Sequence, residues 1–79
     1  MEDEKYKNYL LDLGLLAKEY SREAIEDHRV AKGVEKTYAE GYKMAFHRII
    51  TLMQQQADAF EIPLNEIRLE DIDEKEFLK

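Results

Sequence analysis

Residues that break helices are almost absent from this chain. Its 79 residues include three glycines and one proline, and residues that favour helix occur throughout. Gly33 can adopt the left-handed conformation that ends a helix, and Pro63 disfavours helical geometry at the residue before it. We therefore predict an all-α fold, an antiparallel hairpin of two long helices at about 3–32 and 37–61.

The sequence divides into two parts, the helical hairpin at residues 1–62 and a C-terminal tail at 63–79. The second helix is predicted to start at Thr37, which forms a capping box with Glu40 three residues later. Acidic residues outnumber basic ones in the tail, and apolar residues recur along it. We predict that the tail is a strap or short helix that packs on the hairpin, or that it is partly disordered.

The second predicted helix carries an apolar arc over about half of its circumference. One neighbouring helix cannot cover such an arc, and the first helix has a second contact face at Leu11 and Leu15. The chain has no cysteine, so disulfides cannot stabilise its small core. We therefore predict a homodimer in which two hairpins form a four-helix bundle. The predicted interface and core positions of the second helix are Tyr38, Tyr42, Ala45, Phe46, Ile49, Leu52, Met53, Gln56 and Phe60.

Two histidines and a run of three glutamines are the polar residues that most need an explanation. On a helical wheel His47 points away from the apolar arc, so we predict that it lies on the solvent face. His28, at the edge of the first helix's apolar stripe, is interpreted as a structural, hydrogen-bonded histidine. Neither has a second ligand one turn away, so we predict no metal and no other cofactor. Gln54 and Gln55 are predicted on the polar side, whereas Gln56 needs a tyrosine hydroxyl or its counterpart in a second copy as hydrogen-bond partner.

The sequence carries no arrangement of residues that is typical of an enzyme. Its one serine, Ser21, has no nearby histidine, and the chain has no glycine-rich phosphate loop. Paired carboxylates are expected on an acidic helical surface, and a hairpin of this size can scarcely enclose a cavity. We therefore predict a non-catalytic protein.

The run QQADAFEIPLNEIRLED resembles the middle of a helix-turn-helix DNA-binding motif. Ala57, Ile62 and Ile67 have the spacing usual in that family, over about a quarter of the chain. Glu61 stands where the family has its turn glycine. The segment in the place of the recognition helix begins at Asn65 and is acidic, so phosphates would repel it. We therefore predict no nucleic-acid binding.

Charge and hydropathy favour a protein that acts through other proteins. The net charge is −6, which opposes binding to phosphate-rich partners. No apolar run approaches the ~18 residues of a membrane span, and the N-terminal segment is acidic, so we predict a cytoplasmic protein with no membrane contact. The leading interpretation is a regulator, adaptor or accessory subunit with an unknown protein partner. The alternative is an acidic inhibitor or nucleic-acid mimic that occupies a basic groove on a partner enzyme.

Overall fold

The fold is all-helical, as predicted, with two long helices packed against each other. The computed structural model describes residues 2–78, and of residue 2 only the backbone, so the predicted ends at Met1 and Lys79 lie outside the described residues. Helix α1 spans Glu2–Val30 and α2 spans Val34–Ala59. A 3₁₀ helix at Leu64–Ile67 and a one-turn helix α3 at Glu74–Phe77 follow.

The turn between the long helices is short because Gly33 has a positive φ of 64°, a conformation that costs a glycine little. Helix α2 begins directly after it at Val34, one turn before the capping box predicted at Thr37. Thr37 therefore lies inside the helix rather than at its start. The chain reverses at Gly33 and α2 begins at the next residue, so no linker remains between Gly33 and Thr37.

Helix α2 ends in a left-handed residue that is not glycine. Glu61 has φ 58°, and the amide N–H of Ile62 donates to the carbonyl of Ala57 at 2.7 Å, which closes the end of the helix. Glu61 thus adopts the conformation for which the helix-turn-helix family uses glycine. The next segment is the single 3₁₀ turn at Leu64–Ile67, so the resemblance does not extend to a recognition helix.

The core lies between one side of the hairpin and the tail. Partly buried apolar residues, Phe46 and Met53 among them, pack around the fully buried ones. A buried large apolar side chain stabilises a fold by roughly 1.5–3 kcal/mol relative to an exposed one, so tail packing contributes substantially. The buried cluster consists of Ala17, Ile50 and Ala57 from the hairpin and Ile67, Leu69, Ile72 and Phe77 from the tail.

Gly14 sets the distance between the tail and α1. A Cβ built on Gly14 would overlap the backbone carbonyl oxygen of Ile67. The tail therefore lies so close to the backbone of α1 that no residue other than glycine fits at position 14 without a shift of the backbone.

Candidate functional site

Ion pairs fasten the acidic tail to α1. The ammonium group of Lys18, a residue that is only 7% exposed, donates to Oδ1 of Asp71 at 2.7 Å. Arg22 Nε lies 3.2 Å from Oε1 of Glu76, and Arg22 Nη2 donates to the backbone carbonyl of Asp71 at 3.0 Å. The hydrogen bond from Lys18 holds the pKa of Asp71 below its usual value. These two acidic residues of the tail are therefore paired within the chain.

Gln54 fastens the tail to α2. Its side-chain amide donates to the carbonyl of Leu69 at 3.0 Å and to that of Ile72 at 2.7 Å. The prediction that Gln54 points only toward the polar side is therefore wrong. A helical wheel places Gln54 outside the apolar arc, but the tail covers that side and supplies two carbonyl groups that need a donor.

His47 is also covered by the tail, so its predicted place on the solvent face is wrong. Its side chain is 24% exposed, with Nε2 4.0 Å from Oε2 of Glu74. The imidazole lies against the ring of Phe77, with centroids 5.1 Å apart. Nε2 itself is buried and has no hydrogen-bond partner within the described part of the chain. Helix α3, far away in the sequence, covers a position that faces solvent in an isolated helix.

The other side of the hairpin is uncovered, and we call it the open face. His47 and Gln54 of α2 contact the tail. Ile49 lies two residues after His47 and five before Gln54, which places it about 160° around the helix from His47 and about 140° from Gln54. Large apolar side chains dominate this side, from 38% exposed at Leu10 to 76% at Tyr38. The open face consists of Tyr6, Tyr9, Leu10, Leu13, Leu16 and Tyr20 on α1, of Tyr38, Tyr42, Ala45, Ile49, Leu52 and Gln56 on α2, and of Phe60 directly after α2.

Aromatic rings connect the two helices along the open face. Tyr42 lies between Tyr38 and Phe46, with ring centroids 6.3 Å and 5.2 Å away. Tyr20 of α1 meets Phe46 edge to face at 6.3 Å. The pairs are edge-on, stacked and tilted, and their centroid separations lie within the range that aromatic pairs prefer, so the rings form a continuous row between the two helices.

The structure divides the interface and core positions predicted on α2. Two of them, Phe46 and Met53, pack on the core of the same chain. The other seven, Tyr38, Tyr42, Ala45, Ile49, Leu52, Gln56 and Phe60, lie on the open face. Gln56 is exposed there, so its hydrogen bond to a tyrosine or to a second copy stays a prediction. Leu11 and Leu15 are half-buried on α1.

A pit indents the open face at the end near Gly33. Three tyrosines and two carboxylates surround it, and its floor is Ala24 and Ala39, which are 1% and 9% exposed. Small floor residues bring the helices close together and leave room between the larger side chains. We call this cavity of about 180 Å³ the tyrosine pit; Tyr20, Tyr38, Tyr42, Glu23 and Asp27 line it.

His28 joins the two helices near the turn, and its interpretation as a hydrogen-bonded histidine is confirmed. Its Nδ1 lies 3.1 Å from Nζ of Lys43, a residue that is only 5% exposed. Nδ1 accepts the hydrogen bond from this ammonium group only while the imidazole is neutral. Lys36 also donates to the backbone carbonyl of His28, at 3.0 Å. The burial of Lys43 is not predictable from the sequence, because a lysine beside an apolar arc is expected to reach solvent.

The contact between His28 and Lys43 predicts that the protein loses stability in mild acid. Desolvation lowers the pKa of His28 below 6.5, with smaller contributions from the charges of Lys43 and Lys36 and an opposing one from Glu40. The unfolded chain therefore binds the proton first, and the free energy of unfolding falls as the pH decreases below about 6.5. Chemical unfolding between pH 8 and pH 5 measures this slope.

The variant His28→Asn is the control for this measurement, because it keeps an acceptor oxygen but does not titrate. Its unfolding free energy should depend less on pH than that of the unmodified protein. Identical slopes for the two proteins would show that the contact between His28 and Lys43 does not govern the pH dependence.

No known protein family, curated protein or solved structure matches the chain. Neither long helix has an apolar stretch that could cross a membrane within residues 2–78. The same residues contain no group of three histidine or acidic side chains placed to hold a metal ion. The cytoplasmic location and the absence of catalysis stay predictions from the sequence.

Proposed function

We propose that the protein is a homodimer that acts through protein–protein contacts without catalysis, as a regulator, adaptor or accessory subunit. The observation that carries the proposal is the open face. Soluble monomers rarely expose a continuous apolar surface of this extent unless it binds something. The occupant that fits it best is a second copy of the same face.

The extent of the open face matches what a stable dimer buries. Aromatic side chains each offer about 150–250 Å² of contact area. With the exposed fractions of the large apolar residues on this face, the accessible area is on the order of 1,000 Å². A standard interface buries about 800 Å² from each partner. A second hairpin laid on the face would therefore complete an interface of ordinary size.

The spacing of the exposed residues also favours a helical partner. Along α2 the open face advances by alternate steps of four and three residues from Tyr38 to Gln56. Along α1 it advances by alternate steps of three and four from Tyr6 through Tyr9, Leu13 and Leu16 to Tyr20, with Leu10 beside this row. This is the spacing of a coiled-coil seam. Two such seams side by side are half of a four-helix bundle, which another hairpin would complete.

The acidic inhibitor or nucleic-acid mimic receives less support. Such an effector would present its carboxylates to a basic groove. Asp71 and Glu76 instead pair with Lys18 and Arg22 of the same chain. The charge at this part of the tail is thus used to fasten the tail, which leaves the open face as the better candidate for partner binding.

The variant Leu52→Glu tests the dimer. Leu52 is 53% exposed in the single chain, so the substitution should change the stability of the hairpin by no more than ~0.5 kcal/mol. In a dimer it would bury a carboxylate in the interface. We expect sedimentation equilibrium to give twice the chain mass of 9.4 kDa for the unmodified protein and the single-chain mass for Leu52→Glu.

Met44→Glu is the matched control, because Met44 is 46% exposed and lies about 140° around α2 from Ile49 in the open face. This variant should remain dimeric. The thermal midpoint of the unmodified protein should also fall on hundredfold dilution, because dimer dissociation accompanies unfolding. A single-chain mass with a midpoint that is independent of concentration would refute the proposal.

A further inference from the structure

The open face changes in character near Gly33. From Tyr20 toward the turn, α1 presents Glu23 and Asp27 to the tyrosine pit, whereas α2 still presents Tyr38 and Tyr42. An apolar partner surface over this end would have to desolvate two carboxylates, which is costly without a compensating charge. A cation in the tyrosine pit would supply this compensating charge.

The rings and the carboxylates attract the same kind of ligand. The face of a tyrosine ring is electron-rich and attracts ammonium and guanidinium groups. Carboxylates at the rim add a Coulombic attraction, and the net charge of −6 favours the approach of cations. We propose that the tyrosine pit binds an organic cation, the ammonium, quaternary ammonium or guanidinium head of a small molecule or side chain.

The dimensions of the pit fit the head group of such a ligand. Its volume of about 180 Å³ is comparable to the ~150 Å³ of a protein cavity that holds benzene. A trimethylammonium or guanidinium head group is no larger than benzene in this sense and can enter the pit. Larger ligands would place only their cationic end in the pit. The floor of Ala24 and Ala39 offers no polar group in its side chains, so charge and ring contacts determine the selectivity.

The inference rests on the proposed function in one respect, the source of the cation. A lysine or arginine side chain of a second copy could enter the pit when the open faces pair. A free organic cation carries the same chemistry. The two sources differ in whether the pit is accessible in the dimer, and the monomeric variant Leu52→Glu separates them.

The experiment is a titration with choline, monitored by tyrosine NMR signals and fluorescence. The chain has no tryptophan, and three of its five tyrosines line the pit, so the signal reports on the site. The control ligand is 3,3-dimethylbutan-1-ol, which has the shape of choline without the charge. We expect Leu52→Glu to bind choline with a saturable, millimolar dissociation constant and not to bind the alcohol.

Substitutions of the residues that line the tyrosine pit test whether its charges and rings bind the cation. Glu23→Gln combined with Asp27→Asn should weaken choline binding at least about fivefold, and Tyr38→Leu about two- to fivefold. Asp58→Asn, at the far end of α2, is the matched control and should leave the affinity unchanged. An equal response to choline and to the alcohol, or an affinity that the rim variants do not change, would overturn the proposal.

The unmodified protein identifies the source of the cation. If the dimer excludes choline while Leu52→Glu binds it, a cationic side chain of the second copy occupies the pit. If both proteins bind choline alike, the pit takes a free cation. Should the unmodified protein have the single-chain mass, the dimer proposal fails, but the comparison of choline with its alcohol analogue still decides whether the pit selects cations.

Discussion

Gly14→Ala is expected to lower the free energy of unfolding by up to about 2 kcal/mol. The added methyl group would overlap the carbonyl oxygen of Ile67, and a backbone atom cannot move away by changing a rotamer. Overpacking of this kind typically costs about 1–3 kcal/mol. The gain in helix propensity, up to ~1 kcal/mol, offsets only part of the loss. Urea unfolding, monitored by far-UV circular dichroism, measures the difference.

Gly41→Ala is the matched control, because it is the same substitution within a helix but at a position where a Cβ meets no atom within 4 Å. This variant should be more stable than the unmodified protein by up to ~1 kcal/mol. Opposite signs for the two variants would locate the loss at the contact between α1 and the tail. A Gly14→Ala variant as stable as Gly41→Ala would show that the tail does not pack closely on α1.

Gln54→Leu is expected to destabilise the fold by about 2 kcal/mol. The amide of Gln54 donates to the carbonyls of Leu69 and Ile72, and leucine would leave both carbonyls without this donor. An unsatisfied buried polar group costs about 1–3 kcal/mol, and added apolar contacts offset part of the total. Amide hydrogen exchange should show the largest loss of protection in the tail.

Gln55→Leu is the control, since Gln55 is exposed next to Gln54. Its unfolding free energy should stay within ~0.5 kcal/mol of that of the unmodified protein. Equal effects of the two substitutions would mean that the hydrogen bonds from Gln54 to the tail contribute nothing to stability. The three consecutive glutamines thus have different surroundings: Gln54 binds the tail, Gln55 faces solvent and Gln56 lies on the open face.

The hairpin could be predicted from the sequence because its signals are local. Gly33 and Pro63 mark the ends of helical segments through their own backbone preferences. Asp73 accepts a hydrogen bond from the amide of Lys75 and caps α3, as a short-range signal also predicts. Signals of this kind need no knowledge of what lies across the fold.

The surroundings of His47, Gln54 and Lys43 could not be predicted, because they depend on contacts between distant segments. A helical wheel treats each helix alone and assigns every residue outside the apolar arc to solvent. In the fold, the tail covers His47 and Gln54, and α1 supplies His28 to Lys43. A charged or polar residue next to an apolar arc is therefore an ambiguous signal.

The apolar arc of α2 is divided between the core and the open face, a division that the apolar periodicity alone does not predict. Periodicity identifies apolar positions but does not say which of them face the same chain. Where α1 and α2 meet, the buried residues include the small Ala24 and Ala39, which permit close packing. Large residues of α2 occur on both sides: Ile50 is 1% exposed in the core, whereas Tyr38 and Leu52 lie on the open face.

The position of Phe77 has a consequence for synthesis of the protein. Phe77 is 1% exposed in the core, yet it is made only after both long helices, which end at Val30 and Ala59. At about 5–20 residues per second, the ribosome needs roughly one to four seconds to proceed from Ala59 to Phe77. During this time both sides of the nascent hairpin are uncovered, so chaperones or neighbouring nascent chains can bind it before the tail closes one side.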